Sequence, residues 1–111
     1  MTTVVITHEG GFITGFTASG HSDYAQEGED IVCAAVSAIT QTAMMGLQQF
    51  ESTTQAHWEA GDDPILSVKV LRPSHDTEVI LRTMVIGLED ILSGVPQYVR
   101  VIHKGTEVET T

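Results

Sequence analysis

The chain predicts an α+β fold: a mainly antiparallel sheet with two amphipathic helices on one face, in the order ββαββαβ. Three observations lead there. Short runs rich in β-branched residues are bounded by glycine and proline turns. Two longer stretches repeat their apolar residues at the helical period. The 111 residues, 41% of them hydrophobic, suit a single domain with a packed core rather than a disordered chain.

Thr3 to His8 is a strand by its β-branched content, Glu9-Gly10-Gly11 is a turn, and Phe12 to Ala18 is a second strand, so the pair forms a hairpin. Strict alternation puts Phe12, Thr14, Phe16 and Ala18 on one face and Ile13, Gly15 and Thr17 on the other. Ser19 to Glu29 contains Gly20 and Gly28 with the acids Asp23, Glu27 and Glu29. It is too polar for a core strand and too glycine-bounded for a helix, and is expected to be a mobile loop over residues 19–29.

Asp30 is expected to cap the first helix, whose buried stripe is Val32, Ala35, Val36, Ile39, Ala43, Gly46, Leu47 and Phe50, with fraying between Leu47 and Glu51. Ser52 to Gly61 can form a strand, and Ile65 to Arg72 forms another that ends at Pro73. Ser74 or Asp76 can start the second helix, with Leu81, Met84, Val85, Leu88, Ile91 and Leu92 as its stripe and Gly94 as its stop. Val95 to Lys104 is the last strand, and Gly105 to Thr111 is expected to be a frayed tail. Residues 1–111 thus read as a single domain, without repeat or linker. Five short strands leave edges and one sheet face to be covered or kept polar, and a homodimer would meet both needs.

Charge narrows the function. Fifteen acids against five bases give a net charge of −10, and the only cations are Lys69, Arg72, Arg82, Arg100 and Lys104. Binding nucleic acid requires Lys and Arg to displace counterions from phosphate, so no direct nucleic-acid partner is expected. A basic peptide would be attracted. The alternative is that the charge only keeps a small protein soluble. No continuous apolar run approaches the roughly 18 residues that cross a bilayer, and the first residues carry no basic leader, so an intracellular protein with no membrane partner is expected.

Chemistry centres on the single cysteine, Cys33, which cannot form an internal disulfide. It sits near the start of a helix, where unpaired amides and a partial positive charge favour thiolate over thiol. The amides of residues 31 to 33 are candidates to hold an oxyanion. His21 ends the preceding strand, and the glycines of the intervening loop allow it to fold back toward Cys33. Asp30 can cap the helix or orient His21, and Ser37 lies one turn beyond Cys33 on its side of the helix. On residues alone, a small core cysteine is the commoner reading.

The other features argue against competing chemistries. His8, His57, His75 and His103 are scattered and lack zinc-ligand spacing, so no metal or other cofactor is expected. His57-Trp58-Glu59 is not followed by the Pro-Cys-x-x-Cys that a zinc deaminase needs. Gly10-Gly11 has no Gly-Lys-Ser/Thr after it, and Met44-Met45 reads as core packing. Trp58 fits a sheet edge or a dimer contact equally well.

The stretch Gly20-His21, followed by Gly28-x-Asp30-Ile31-Val32-Cys33-Ala34-Ala35-Val36-Ser37, resembles the signature of the ribosomal-processing cysteine protease (Prp) family. The resemblance extends to the chain's length and element order. It implies a bacterial, cytoplasmic homodimer that removes a short N-terminal extension from a large-subunit ribosomal protein near the peptidyl-transferase centre. It matches the family's catalytic histidine to His21, its nucleophile to Cys33, and its signature Asp and Ser to Asp30 and Ser37. It makes the loop bounded by Gly20 and Gly28 a lid over the substrate. The competing readings are a non-enzymatic binding factor or chaperone for a basic ribosomal protein, and a thiol-redox sensor.

Overall fold

The structure, a computed structural model, describes residues 1–20, 29–59 and 65–105, with Glu29 by its backbone only. Its elements are β1 (Thr2–Glu9), β2 (Phe12–Ser19), α1 (Glu29–Phe50), β3 (Gln55–Glu59), β4 (Ile65–Lys69), α2 (His75–Gly94) and β5 (Val99–Gly105). This is the expected ββαββαβ order. The strands form one five-stranded sheet in the order β3-β4-β2-β1-β5. Three neighbour pairs are antiparallel, and β1 pairs with β5 in parallel. The parallel pair arises because α2 carries the chain from β4 across to the far side of β1, as a crossover must.

β1 and β2 meet through Gly10 (φ 59°) and Gly11 (φ 81°), a two-residue turn in the left-handed conformation that suits a twisted hairpin. The hairpin register shifts between Thr7 and His8: Thr7 opposes Gly15, but His8 opposes Ile13. Thr14 is therefore an extra residue on β2, a β-bulge. It breaks the alternation expected from sequence. Ile13 joins Phe16 in the core at 2% and 1% exposure, whereas Phe12 is 37% exposed.

The paired registers place Val4, Ile6, Phe16, Leu66, Val68 and Val99 on one face of the sheet, and all are buried. The opposite face carries Thr3, Thr7, Thr17, Gln55, His57, Ser67 and Lys69, none of them buried, so it is kept largely polar. Both helices cover the apolar face. Val32, Val36, Ala43 and Leu47 of α1 join Leu81, Met84, Val85 and Leu88 of α2 in one core with the strands. The helices approach closely where Gly46 faces Ile80 and Gly87 faces Ile39. α2 starts where Ser74 caps it: its hydroxyl accepts from the Thr77 amide at 3.2 Å, and the Thr77 hydroxyl accepts from the Ser74 amide at 2.8 Å. Such a cap contributes ~1 kcal/mol.

α1 departs from expectation at both ends. It starts at Glu29, so Asp30 lies inside the first turn instead of capping it; an acid there still favours the helix dipole. It runs unbroken to Phe50, whose ring is 70% exposed and outside the core. Over Asp30–Phe50 it is also long and apolar enough, by length and composition, to cross a membrane, because its Ala, Val, Ile, Leu and Met residues raise the mean hydropathy without a continuous apolar run. Here its inner stripe is part of the core. β5 starts later than expected, at Val99, because Val95 to Tyr98 forms a turn closed by the Tyr98 amide on the Val95 carbonyl at 3.0 Å.

Candidate active site

β2 delivers the chain to the site under constraint. Gly20, one residue past β2, has φ 95°, which side-chain-bearing residues rarely adopt, and a Cβ there would run into the Met1 carbonyl. Its own carbonyl accepts from the Thr2 hydroxyl at 3.3 Å, tying the exit of β2 to the start of β1. Cys33 is half-buried in the early part of α1.

Gly20 and Cys33 line the same cavity, of about 310 Å³, with Asp30, Ser37, Trp58 and Leu66. Residues 30, 33 and 37 are three and four apart, so one side of α1 presents all three to that space. The walls opposite come from β3, β4 and the end of β2. The signature residues Gly20, Asp30, Cys33 and Ser37 thus converge, while His21 and Gly28 lie outside the described residues, as does most of the expected 19–29 loop.

The helix start changes which amides can serve an oxyanion. With α1 beginning at Glu29, the i→i−4 ladder brings the Cys33 amide to the Glu29 carbonyl. The amides without a partner inside the helix therefore lie before Cys33, closer to residues 29–31 than to the expected 31–33.

Trp58 is the site residue that sequence reasoning left undecided. It lies in the edge strand β3 and lines the cavity of Cys33. Alternation along Ala56-His57-Trp58 already places it opposite His57, but its side of the sheet follows only from the pairing of Trp58 with Leu66. Thr40, one turn past Val36, is 1% exposed, and its hydroxyl donates to the Val36 carbonyl at 2.9 Å.

The histidines are less scattered than their spacing suggests. Parallel pairing of β1 with β5 brings His8 Nε2 to 2.8 Å from His103 Nδ1, and His103 Nε2 lies 3.5 Å from a Glu89 carboxylate oxygen. Burial, then the neighbouring His103, hold the His8 imidazole below its ordinary value; Glu78 opposes this and Arg82 adds to it. Among the described residues, no group of three or more His, Cys, Asp or Glu could hold a metal ion.

A pH prediction follows from His8. The folded state disfavours its protonation, so the unfolded chain binds that proton more readily below about 6.5, the ordinary value. The contribution is fully present above that pH and is lost as pH falls through the lower folded value. His8→Gln should therefore lose less stability than the parent between about pH 7.5 and about pH 5.5, as read from urea midpoints. Equal losses would show that His8 is not responsible.

Comparison with known proteins places the chain among relatives of one family. The family model of the cysteine protease Prp matches residues 1–100. A ribosomal processing cysteine protease Prp of Mycoplasma pneumoniae is 36% identical over 83 residues, covering 75% of this chain and 80% of that protein. Two structures of the Staphylococcus aureus ribosomal processing protease Prp superpose on the fold, each covering 94% of this chain and 100% of theirs. The one in complex with a substrate peptide has TM-score 0.79 at 25% identity, and the one with a covalently linked product peptide has 0.70 at 26%. With a family match spanning residues 1–100, and with the described signature residues Gly20, Asp30, Cys33 and Ser37 lining one cavity, the chain belongs to the Prp family of cysteine proteases.

Proposed function

We propose that this protease removes the N-terminal extension of a bacterial large-subunit ribosomal protein, with Cys33 as nucleophile and His21 as general base and acid. The observation that carries the reading is the shared cavity of Gly20 and Cys33. His21 is the next residue after Gly20, one step of ~3.8 Å along the chain. Support for a covalent route comes from the Staphylococcus aureus relative that holds a covalently linked product peptide.

In this mechanism the Cys33 thiolate attacks the scissile carbonyl carbon. Amides at the start of α1 stabilise the oxyanion. The C–N bond breaks as His21 gives its proton to the departing amine, leaving a thioester. Water then attacks the thioester carbonyl while His21 takes a proton from it. The acid product leaves and the thiolate is restored. Asp30 and Ser37 border the cavity and are supporting groups: Asp30 adds negative charge beside the imidazolium that forms, and Ser37 offers a hydroxyl one turn from the sulfur.

The net charge of −10 favours a basic ribosomal-protein segment and disfavours nucleic acid, and a cytoplasmic location follows from that substrate. Exposed Val79 and Ile86 on α2, with Met45 and Phe50 on α1, supply apolar surface for the homodimer, which a one-chain mass in light scattering would eliminate. The direct test is incubation with the ribosomal-protein precursor, reading the new N-terminus by mass. A single cut that removes the extension is expected; an intact precursor would reject the assignment.

A further inference from the structure

Among the described residues, the sheet ends in two edge strands, β3 and β5, and they are unlike. β5 carries Arg100 and Lys104, cations that discourage another strand and repel a basic peptide. β3 has no Lys, Arg or Pro, pairs only with β4 among the described strands, and all five of its residues are exposed. Its register turns Ala56 and Trp58 to the helix side of the sheet, and Gln55, His57 and Glu59 to the other. Trp58 is 53% exposed and lines the cavity that Cys33 lines. An unblunted strand edge therefore brings a half-exposed indole to the cavity that Cys33 lines.

We propose that β3 is the docking edge for substrate: an extended peptide adds to it as a further strand, lays an apolar side chain on Trp58, and so presents its peptide bond at Cys33. The proposal deepens the assignment of Cys33 and rests on it. Backbone hydrogen bonds to β3 supply affinity with little regard to sequence, and the Trp58 wall supplies selectivity at one position. Glu59 on this strand and the net charge of −10 favour a basic occupant over an acidic one. The cavity makes the edge continuous with the reacting centre.

The test uses the peptide that the wild-type protein cleaves, titrated into the full-length Cys33→Ala protein so that binding is read without turnover. Trp58 is the only tryptophan, so its emission reports contact at this wall directly. A blue shift on saturation is expected. N-methylating the peptide's amides one at a time should weaken binding about five- to tenfold at every second position over the docked segment and leave the positions between unchanged. Saturable binding with unchanged Trp58 emission, or a scan without the two-residue period, would overturn the docking edge while leaving cleavage at Cys33 standing. Absence of cleavage of any basic precursor peptide by the wild type would remove the underlying assignment, and this proposal with it.

Discussion

Cys33→Ala should abolish peptide cleavage, a loss of roughly 10⁴-fold or more, and leave the fold standing. The catalytic loss is large because no other described side chain at the cavity offers a thiolate. Cys33 is the only cysteine in the chain, and Ser37 carries a hydroxyl that stays protonated near neutral pH. The structural cost is small because the site is half-buried and only one sulfur is removed, about 1 kcal/mol or less. Cys33→Ser should keep the shape and lose nearly as much activity, which separates chemistry from packing. His21→Ala should slow turnover by roughly 10²- to 10⁴-fold, the usual contribution of a positioned proton-transfer group. Peptide cleavage by mass spectrometry and a melting curve for each variant check both halves. Full activity in either Cys33 variant would end the mechanism, and a parental rate in His21→Ala would remove His21 from it.

Phe16→Ala should destabilise the protein by about 3–5 kcal/mol, whereas Phe12→Ala should cost about 1 kcal/mol or less. The two phenylalanines are four residues apart in β2, so simple alternation makes them equivalent. The bulge at Thr14 makes them opposites: Phe16 is 1% exposed between Ile6 and Val68 on the neighbouring strands, and Phe12 is 37% exposed. Ile13→Ala, at a 2% exposed position, should fall with Phe16, at about 2–5 kcal/mol. A domain of this kind holds only about 5–15 kcal/mol in total, so the Phe16 variant loses a large share of it. Urea midpoints at constant slope measure all three. Equal costs for Phe12 and Phe16 would restore the unbulged register.

What sequence made legible divides along physical lines. The element order and the stripes of α1 and α2 were readable because helical periodicity is local: Val32, Val36, Leu47, Leu81 and Leu88 all reached the core. The Ser74 cap was one of two readable options, and the structure selects it through its pairing with Thr77. The bulge was not readable, since one extra residue in β2 registers only against its partner β1. The meeting of His8 with His103 depends on a pairing across 95 positions, which no local pattern encodes. α1 starts two residues earlier than a cap at Asp30 implies; local sequence does not decide this, since aspartate is a good capping type and an equally good first-turn acid. At the site, Cys33, Asp30 and Ser37 could be placed together from helical spacing alone. Trp58 could not, because its wall belongs to a strand whose neighbour is fixed by the sheet.

The anchoring of Gly20 has a consequence for evolution and engineering at this site. The carbonyl of Gly20 is held by Thr2, and the stretch ahead of α1 rejoins described structure at Glu29, so both ends of the intervening eight residues are pinned by the folded body. Position 20 is thereby closed to ordinary side chains: one placed there would need a left-handed backbone and would meet the Met1 carbonyl, so a change at this corner must also move the start of β1.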